Sequence, residues 1–131
     1  MRLLLDTHVA LWSIAAEERL SSRALTLIKD LDNSIFVSVV SLWEIAIKHA
    51  LSQRRIGRMP VAAHAALDQF TSAGFQLIGL SAAHVLAVEG LPPLHGDPFD
   101  RMLIAQARAE PMQLLSADVK MSAYGDTVIR V

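Results

Sequence analysis

The sequence predicts an α/β fold, a mostly parallel five-stranded sheet sandwiched between helices. Three observations carry that expectation. Short, uniformly apolar runs alternate with stretches of helical periodicity along all 131 residues. Runs such as Leu3-Leu4-Leu5 and Ile35-Phe36-Val37 lack the apolar–polar alternation of a half-exposed strand, so they read as strands covered on both faces. Acidic residues recur where strands are expected to hand over to helices, and in an open parallel sheet such positions gather at one ligand-binding edge.

Each element follows from local chemistry. Arg2 to Leu5 forms the first strand, and a helix begins at Asp6 or Thr7. Leu25, Ile28 and Leu31 give helical spacing to Ser21–Leu31, and Asn33-Ser34 makes a turn. The β-branched and aromatic run Ile35–Val39 is the second strand. A helix follows from about Val40 to Gln53, with an apolar stripe through Val39, Leu42, Trp43, Ala46 and Ala50. The basic stretch Gln53–Arg58 is expected to be loop. Pro60 suits the first turn of another helix, which Gly74 closes. Phe75–Leu80 is the third strand, and Ser81 caps a short helix ending at Gly90. Leu91-Pro92-Pro93-Leu94-His95-Gly96 is loop. Pro98 opens a helix to about Ala109, which Pro111 stops. Gln113–Ser116 is the fourth strand, Asp118–Tyr124 a short helix or turn, and Thr127–Val131 the fifth strand.

Composition bounds the function. The length suits one domain over residues 1–131, and an apolar fraction of 53% argues against disorder. No apolar run approaches the roughly 20 residues that span a bilayer. Asp6 interrupts any secretory pattern, and the absence of cysteine is compatible with a reducing cytoplasm. A net charge of −1 means that any nucleic acid must be held by a local basic patch, a metal or a second subunit.

The acids carry the chemistry. Asp6, Glu44, the Asp97/Asp100 pair and Asp118 are far apart in sequence but are expected at one edge of the sheet. Crowded carboxylates stay ionised only if something positive joins them. A hard divalent cation with oxygen ligands meets that need, and such a site usually handles phosphate. Each acid also has an ordinary explanation. Asp6 and Asp118 suit helix caps. Ser41 and Glu44 have the spacing of a capping box, and Lys48 lies four residues beyond Glu44, ready for a surface ion pair. Asp97-Pro98-Phe99-Asp100 is a strong helix start. Against these stands a very apolar helix around Glu44, whose one acid needs a partner if buried. Arg101 adds a positive fork able to orient a carboxylate or hold a phosphate. His8 and His95 flank the expected site and could touch phosphate or, less readily, a metal; an ordinary hydrogen bond is the default for a loop histidine, and no zinc-ligand spacing is present. Lys48, Arg54, Arg55 and Arg58 form a basic cluster, solvated by default. Trp12 and Trp43 are expected to pack rather than stack on bases.

Four blocks resemble, in order and spacing, those of PIN-domain toxins of the VapC type. They are Arg2-Leu3-Leu4-Leu5-Asp6-Thr7-His8, Ser41-Leu42-Trp43-Glu44-Ile45-Ala46-Ile47-Lys48, the run His95-Gly96-Asp97-Pro98-Phe99-Asp100-Arg101 with Met102–Ala107, and Leu114-Leu115-Ser116-Ala117-Asp118. The resemblance spans essentially the whole chain. It implies a Mg²⁺- or Mn²⁺-dependent ribonuclease from a toxin–antitoxin pair, a homodimer, silenced by an antitoxin whose tail enters the cleft. The family's acidic quartet falls on Asp6, Glu44, Asp100 and Asp118. Asp6, Asp100 and Asp118 would hold one or two ions, and Asp97 is close enough to be a ligand or to support one. Thr7 and Ser116 fall where the family often has a hydroxyl near the metal. Two other classes compete. One is a catalytically silent nucleic-acid-binding or scaffold domain, which the presence of all four acids opposes. The other is a phosphotransfer domain, which needs a different acid spacing; His8, two residues after Asp6, counts against a phosphatase.

Overall fold

The computed structural model describes residues 1–52, 59 and 61–131. The loop expected over Gln53–Arg58, most of the basic cluster, and the helix start expected at Pro60 lie outside the described residues. Strands β1 (Arg2–Leu5), β2 (Ser34–Ser38), β3 (Gln76–Ile78), β4 (Gln113–Ser116) and β5 (Val128–Arg130) pair in the order β3-β2-β1-β4-β5. Every pair is parallel, with Leu4 beside both Phe36 and Leu114. The helices are α1 (Thr7–Ala15), α2 (Ser22–Lys29), α3 (Val39–Ser52), α4 (Ala63–Ser72), α5 (Ala82–Glu89), α6 (Pro98–Ala109) and the single turn α7 (Val119–Ser122).

Successive strand residues point to opposite faces, so the apolar runs feed two cores. Leu3, Leu5, Ile35, Val37 and Leu115 pack with Val9, Ala24, Ala66 and Phe70 from α1, α2 and α4. Leu4, Phe36 and Leu114 pack with Leu103, Ile104, Ala107 and Met121 from α6 and α7. Helix α3 gives Val40 to one core and Ile45 to the other, so it joins the two layers. Leu3, Leu4 and Leu5 are wholly buried, each worth about 1.5–3 kcal/mol relative to exposure.

This order fixes where a ligand can sit. The chain leaves β1 for β2 and β3, then returns across β1 to β4 and β5. The direction reverses between β1 and β4, and the crevice beyond their carboxyl ends is the binding position of such sheets. Asp6 follows β1 directly, and its N–H bonds the Leu115 carbonyl of β4 at 3.0 Å.

The boundaries differ from expectation for identifiable reasons. Ser34 joins β2 instead of a turn, because its N–H bonds the Met1 carbonyl at 2.8 Å. Helix α2 stops at Lys29, where Asp30 accepts from the Asp32 N–H at 2.9 Å and leaves Leu31 99% exposed. Helix α3 starts at Val39, since the Ser38 hydroxyl caps the Val40 N–H at 3.0 Å. Strand β3 is only Gln76–Ile78; Phe75 instead stacks on Phe70 at 6.2 Å. Gly74 closes α4 as expected, with a φ of +84° that disfavours any side chain. The expected start and stop of α5 and α6 are met: Ser81 and Asp97 are the N-caps, and Gly90 follows α5. No helix among the described residues is long and apolar enough to cross a membrane.

Candidate active site

Three helix starts, those of α1, α6 and α7, deliver carboxylates to the crevice between β1 and β4. Asp6 caps α1, accepting from the Val9 N–H through Oδ1 at 2.8 Å. Asp118 caps α7, accepting from the Lys120 N–H through Oδ1 at 2.9 Å. Ser116, at the end of β4, is fully buried between them: its hydroxyl bonds Asp6 and also accepts from the Asp118 N–H at 3.1 Å. The two caps are therefore real, but capping occupies one oxygen of each acid and leaves the other available.

Asp97 caps α6, accepting from the Asp100 N–H at 3.0 Å, with Pro98 at the first helical position. Asp100 stands in that first turn, and its Oδ2 meets His95 Nε2 at 2.7 Å. The same Nε2 lies 3.6 Å from Asp118 Oδ2, so His95 bridges acids from α6 and α7. One donor atom each of His95, Asp100 and Asp118 fall within 4.8 Å of one another, a grouping able to hold a metal ion. His95 is thus inside the site rather than flanking it. Its position five residues before Asp100 in a Pro-Gly loop carries no signal of where the ring will point.

Glu44 lies inside α3, 3% exposed. Lys48 Nζ holds its Oε2 at 2.5 Å, while Oε1 is buried without a hydrogen-bond partner among the described residues. Helix geometry places Glu44 angularly between Ser41 and Trp43. Ser41 accepts from the Thr7 hydroxyl at 2.9 Å, and Trp43 meets Phe99 edge-on at 5.1 Å. Its neighbours on α3, Ser41 and Trp43, thus touch the start of α1 and the start of α6, whereas the contact of Glu44 itself is with Lys48. The expected capping box is absent, because Ser41 sits within the helix and bonds Thr7. The expected ion pair with Lys48 exists, but on a buried acid rather than a surface one. Trp43 is 60% exposed and packs only through its contact with Phe99.

Two further expectations need correction. The joints are not all strand-to-helix: α6 follows α5 through the Pro-Pro loop, and Glu44 is already inside its helix. Arg101 points away from the acids. Its guanidinium donates to the carbonyls of Val88 (3.3 Å), Leu91 (3.4 Å) and Pro92 (3.0 Å) and to the Tyr124 hydroxyl (3.0 Å). The Tyr124 hydroxyl also donates to Pro92 at 2.9 Å. Arg101 therefore locks the loop that carries His95.

Burial dominates the electrostatics. The Asp6 carboxyl is raised above its ordinary range chiefly by burial and also by Asp118, against hydrogen bonds from Ser116 and Val9. The Asp100 carboxyl is pushed up to about 6, again mainly by burial, with His95 opposing and Asp97 and Asp6 adding repulsion. Asp6, His8, Trp12, Ala117 and Asp118 line an open cleft at this edge. Asp6 and Asp100, which repel each other where burial disfavours charge, form with Asp118 and His95 a cluster suited to a cation.

A parallel sheet with acids converging at its point of reversal defines a PIN-like α/β protein. The PIN domain family model matches residues 3–126, and the chain belongs to that family. Three solved structures share the fold. A chain of the VapBC2 complex from Rickettsia felis, bound to a DNA fragment of its promoter, is 20% identical with a TM-score of 0.66, covering 100% of this chain and 98% of that one. A toxin–antitoxin complex from Klebsiella pneumoniae gives 14% identity and 0.63 over 97% and 95%. Mycobacterium tuberculosis VapC20, a sarcin–ricin-loop-cleaving toxin, gives 24% identity and 0.61 over 98% and 99%. No curated protein matches the chain by sequence.

Proposed function

We infer that the protein is a Mg²⁺- or Mn²⁺-dependent endoribonuclease, the toxin of a toxin–antitoxin pair. It acts in the cytoplasm as a homodimer of single-domain chains until its cognate antitoxin binds. The observation that carries this reading is the gathering of Asp6, Asp100 and Asp118 at one edge, where burial and mutual repulsion oppose the ionisation of Asp6 and Asp100. Fold neighbours that belong to toxin–antitoxin complexes, one of them cleaving the sarcin–ricin loop, support the biological role.

Asp6, Asp100 and Asp118 would hold one or two ions, with Asp97 supporting Asp100. When bound, the cation stabilises charge on the phosphoryl oxygens and acidifies the attacking water. The protein's own residues prepare that site. The Val9 and Lys120 N–H groups each fix one carboxylate oxygen and so orient the other. Ser116 couples Asp6 to Asp118, and the Thr7–Ser41 hydroxyl pair joins α1 to α3. Glu44 offers Oε1 either to the ion or to the attacking water, while Lys48 holds its other oxygen in place.

The test is RNA cleavage by purified protein in Mg²⁺ or Mn²⁺, with and without EDTA, beside Asp6→Asn. Wild type should cleave and EDTA should stop it. Losing several kcal/mol of charge stabilisation should lower the rate of Asp6→Asn by about 10²–10³-fold. A folded Asp6→Asn protein that cleaves at the wild-type rate would reject the assignment.

A further inference from the structure

We propose that His95 is itself a metal ligand through Nε2, making the site a mixed nitrogen–oxygen set. This rests on the metal-dependent reading above and extends it to a residue outside the acidic quartet.

The geometry is that of a ligand set. His95 Nε2 lies 2.7 Å from Asp100 Oδ2 and 3.6 Å from Asp118 Oδ2. Two donors each about 2.1 Å from an ion and at right angles are about 3 Å apart. At a tetrahedral angle they are about 3.4 Å apart. The observed separations bracket both values, so an ion can replace the Nε2 proton with little movement of the three side chains.

The ring is also held in place. The His95 side chain is 9% exposed. Its loop is tied down by the Arg101 fork on Val88, Leu91 and Pro92 and by the Tyr124 hydroxyl. Those contacts fix the loop backbone just before His95 and so limit where its ring can reach. Imidazole nitrogen is a common donor to first-row transition ions, and two carboxylates complete the set on the oxygen side.

The experiment is Mn²⁺ binding to the full chain followed by electron paramagnetic resonance, with pulsed detection of ¹⁴N coupling. Wild type should bind Mn²⁺ with a ¹⁴N coupling that His95→Gln abolishes. His95→Gln should weaken Mn²⁺ binding about 10-fold or more. His8→Gln should keep the coupling, because His8 is exposed at the cleft rim. Mn²⁺ bound to wild type without ¹⁴N coupling overturns the proposal and leaves an all-oxygen site standing. A coupling that survives in His95→Gln overturns it as well. Absence of Mn²⁺ binding to wild type overturns both this proposal and the metal-dependent function. If His95→Gln does not fold, the wild-type and His8→Gln spectra still decide.

Discussion

Asp100 and Asp6 resist ionisation for the same reason, burial, and each is further raised by a neighbouring acid. The folded protein therefore retains protons that the unfolded chain releases. For Asp100 the unfolded value is near 3.8 and the folded one about 6. Its stabilising contribution is complete below the lower value and disappears as pH rises through the upper one. At pH 7 without metal, the ionised carboxylate carries a disadvantage of order 1–3 kcal/mol. Asp100→Asn keeps the shape and an acceptor for His95 without the charge. In EDTA it should match wild type near pH 4 and exceed it in melting temperature near pH 7, while losing metal-dependent cleavage. Thermal melts across that range measure the gap; a difference that does not change with pH would mean that Asp100 is charged as easily in the fold as in water. For the same reason, metal binding to wild type should weaken as pH falls through about 6.

Helix α6 and the loop before it form one device. Its N-terminus supplies Asp97 and Asp100, and one turn on Arg101 reaches back to the carbonyls of residues that precede His95. Farther along, buried Gln106 accepts from Ser38 at 2.6 Å and donates to the Gly79 carbonyl at 3.2 Å, fixing α6 to the ends of β2 and β3. Arg101→Met should keep the aliphatic packing but release those carbonyls. Folding stability should fall by roughly 1–3 kcal/mol, and Mn²⁺ affinity should fall with it, because the loop no longer holds His95 against Asp100. Isothermal titration and denaturant melts measure the two together. Lost stability with unchanged affinity would make Arg101 a purely structural brace. Much of this element is legible in the sequence, since Ser81, Gly90 and Asp97-Pro98 act locally on the backbone beside them. The face of α3 is not. Apolar periodicity favours Leu42, Trp43, Ala46 and Ala50, yet the buried face carries Val40, Ser41, Glu44 and Ile45. Two of those four are polar, Ser41 meeting Thr7 and Glu44 meeting Lys48, and hydrophobic patterning reads such residues as surface. The Arg101 contacts are illegible too, because they depend on how a loop returns to its own helix.

Across the whole molecule, the candidate ligands come from α1, α3, α6 and α7, which pack into two separate cores on either side of the sheet. The alternation of apolar runs and helices implies an edge where acids can meet. The position of that edge depends on strand order, which reverses between β1 and β4, and no local pattern encodes that reversal. Because the acids bridge both layers, a bound ion should act as a staple on the entire fold and relieve the repulsion between Asp6, Asp100 and Asp118. An ion present at about 100 times its Kd should stabilise the native state by about 2.7 kcal/mol. For a chain of this size that corresponds to a melting temperature raised by roughly 6–12 °C. Mn²⁺ and Mg²⁺ should each produce such a rise, EDTA should reverse it, and Asp118→Asn, which removes a charge from the α7 side alone, should reduce it. Differential scanning calorimetry at matched ionic strength, with Ca²⁺-free NaCl as the control, separates this from screening: a rise that NaCl reproduces, or one untouched by Asp118→Asn, would place the ion's effect outside the acidic crevice.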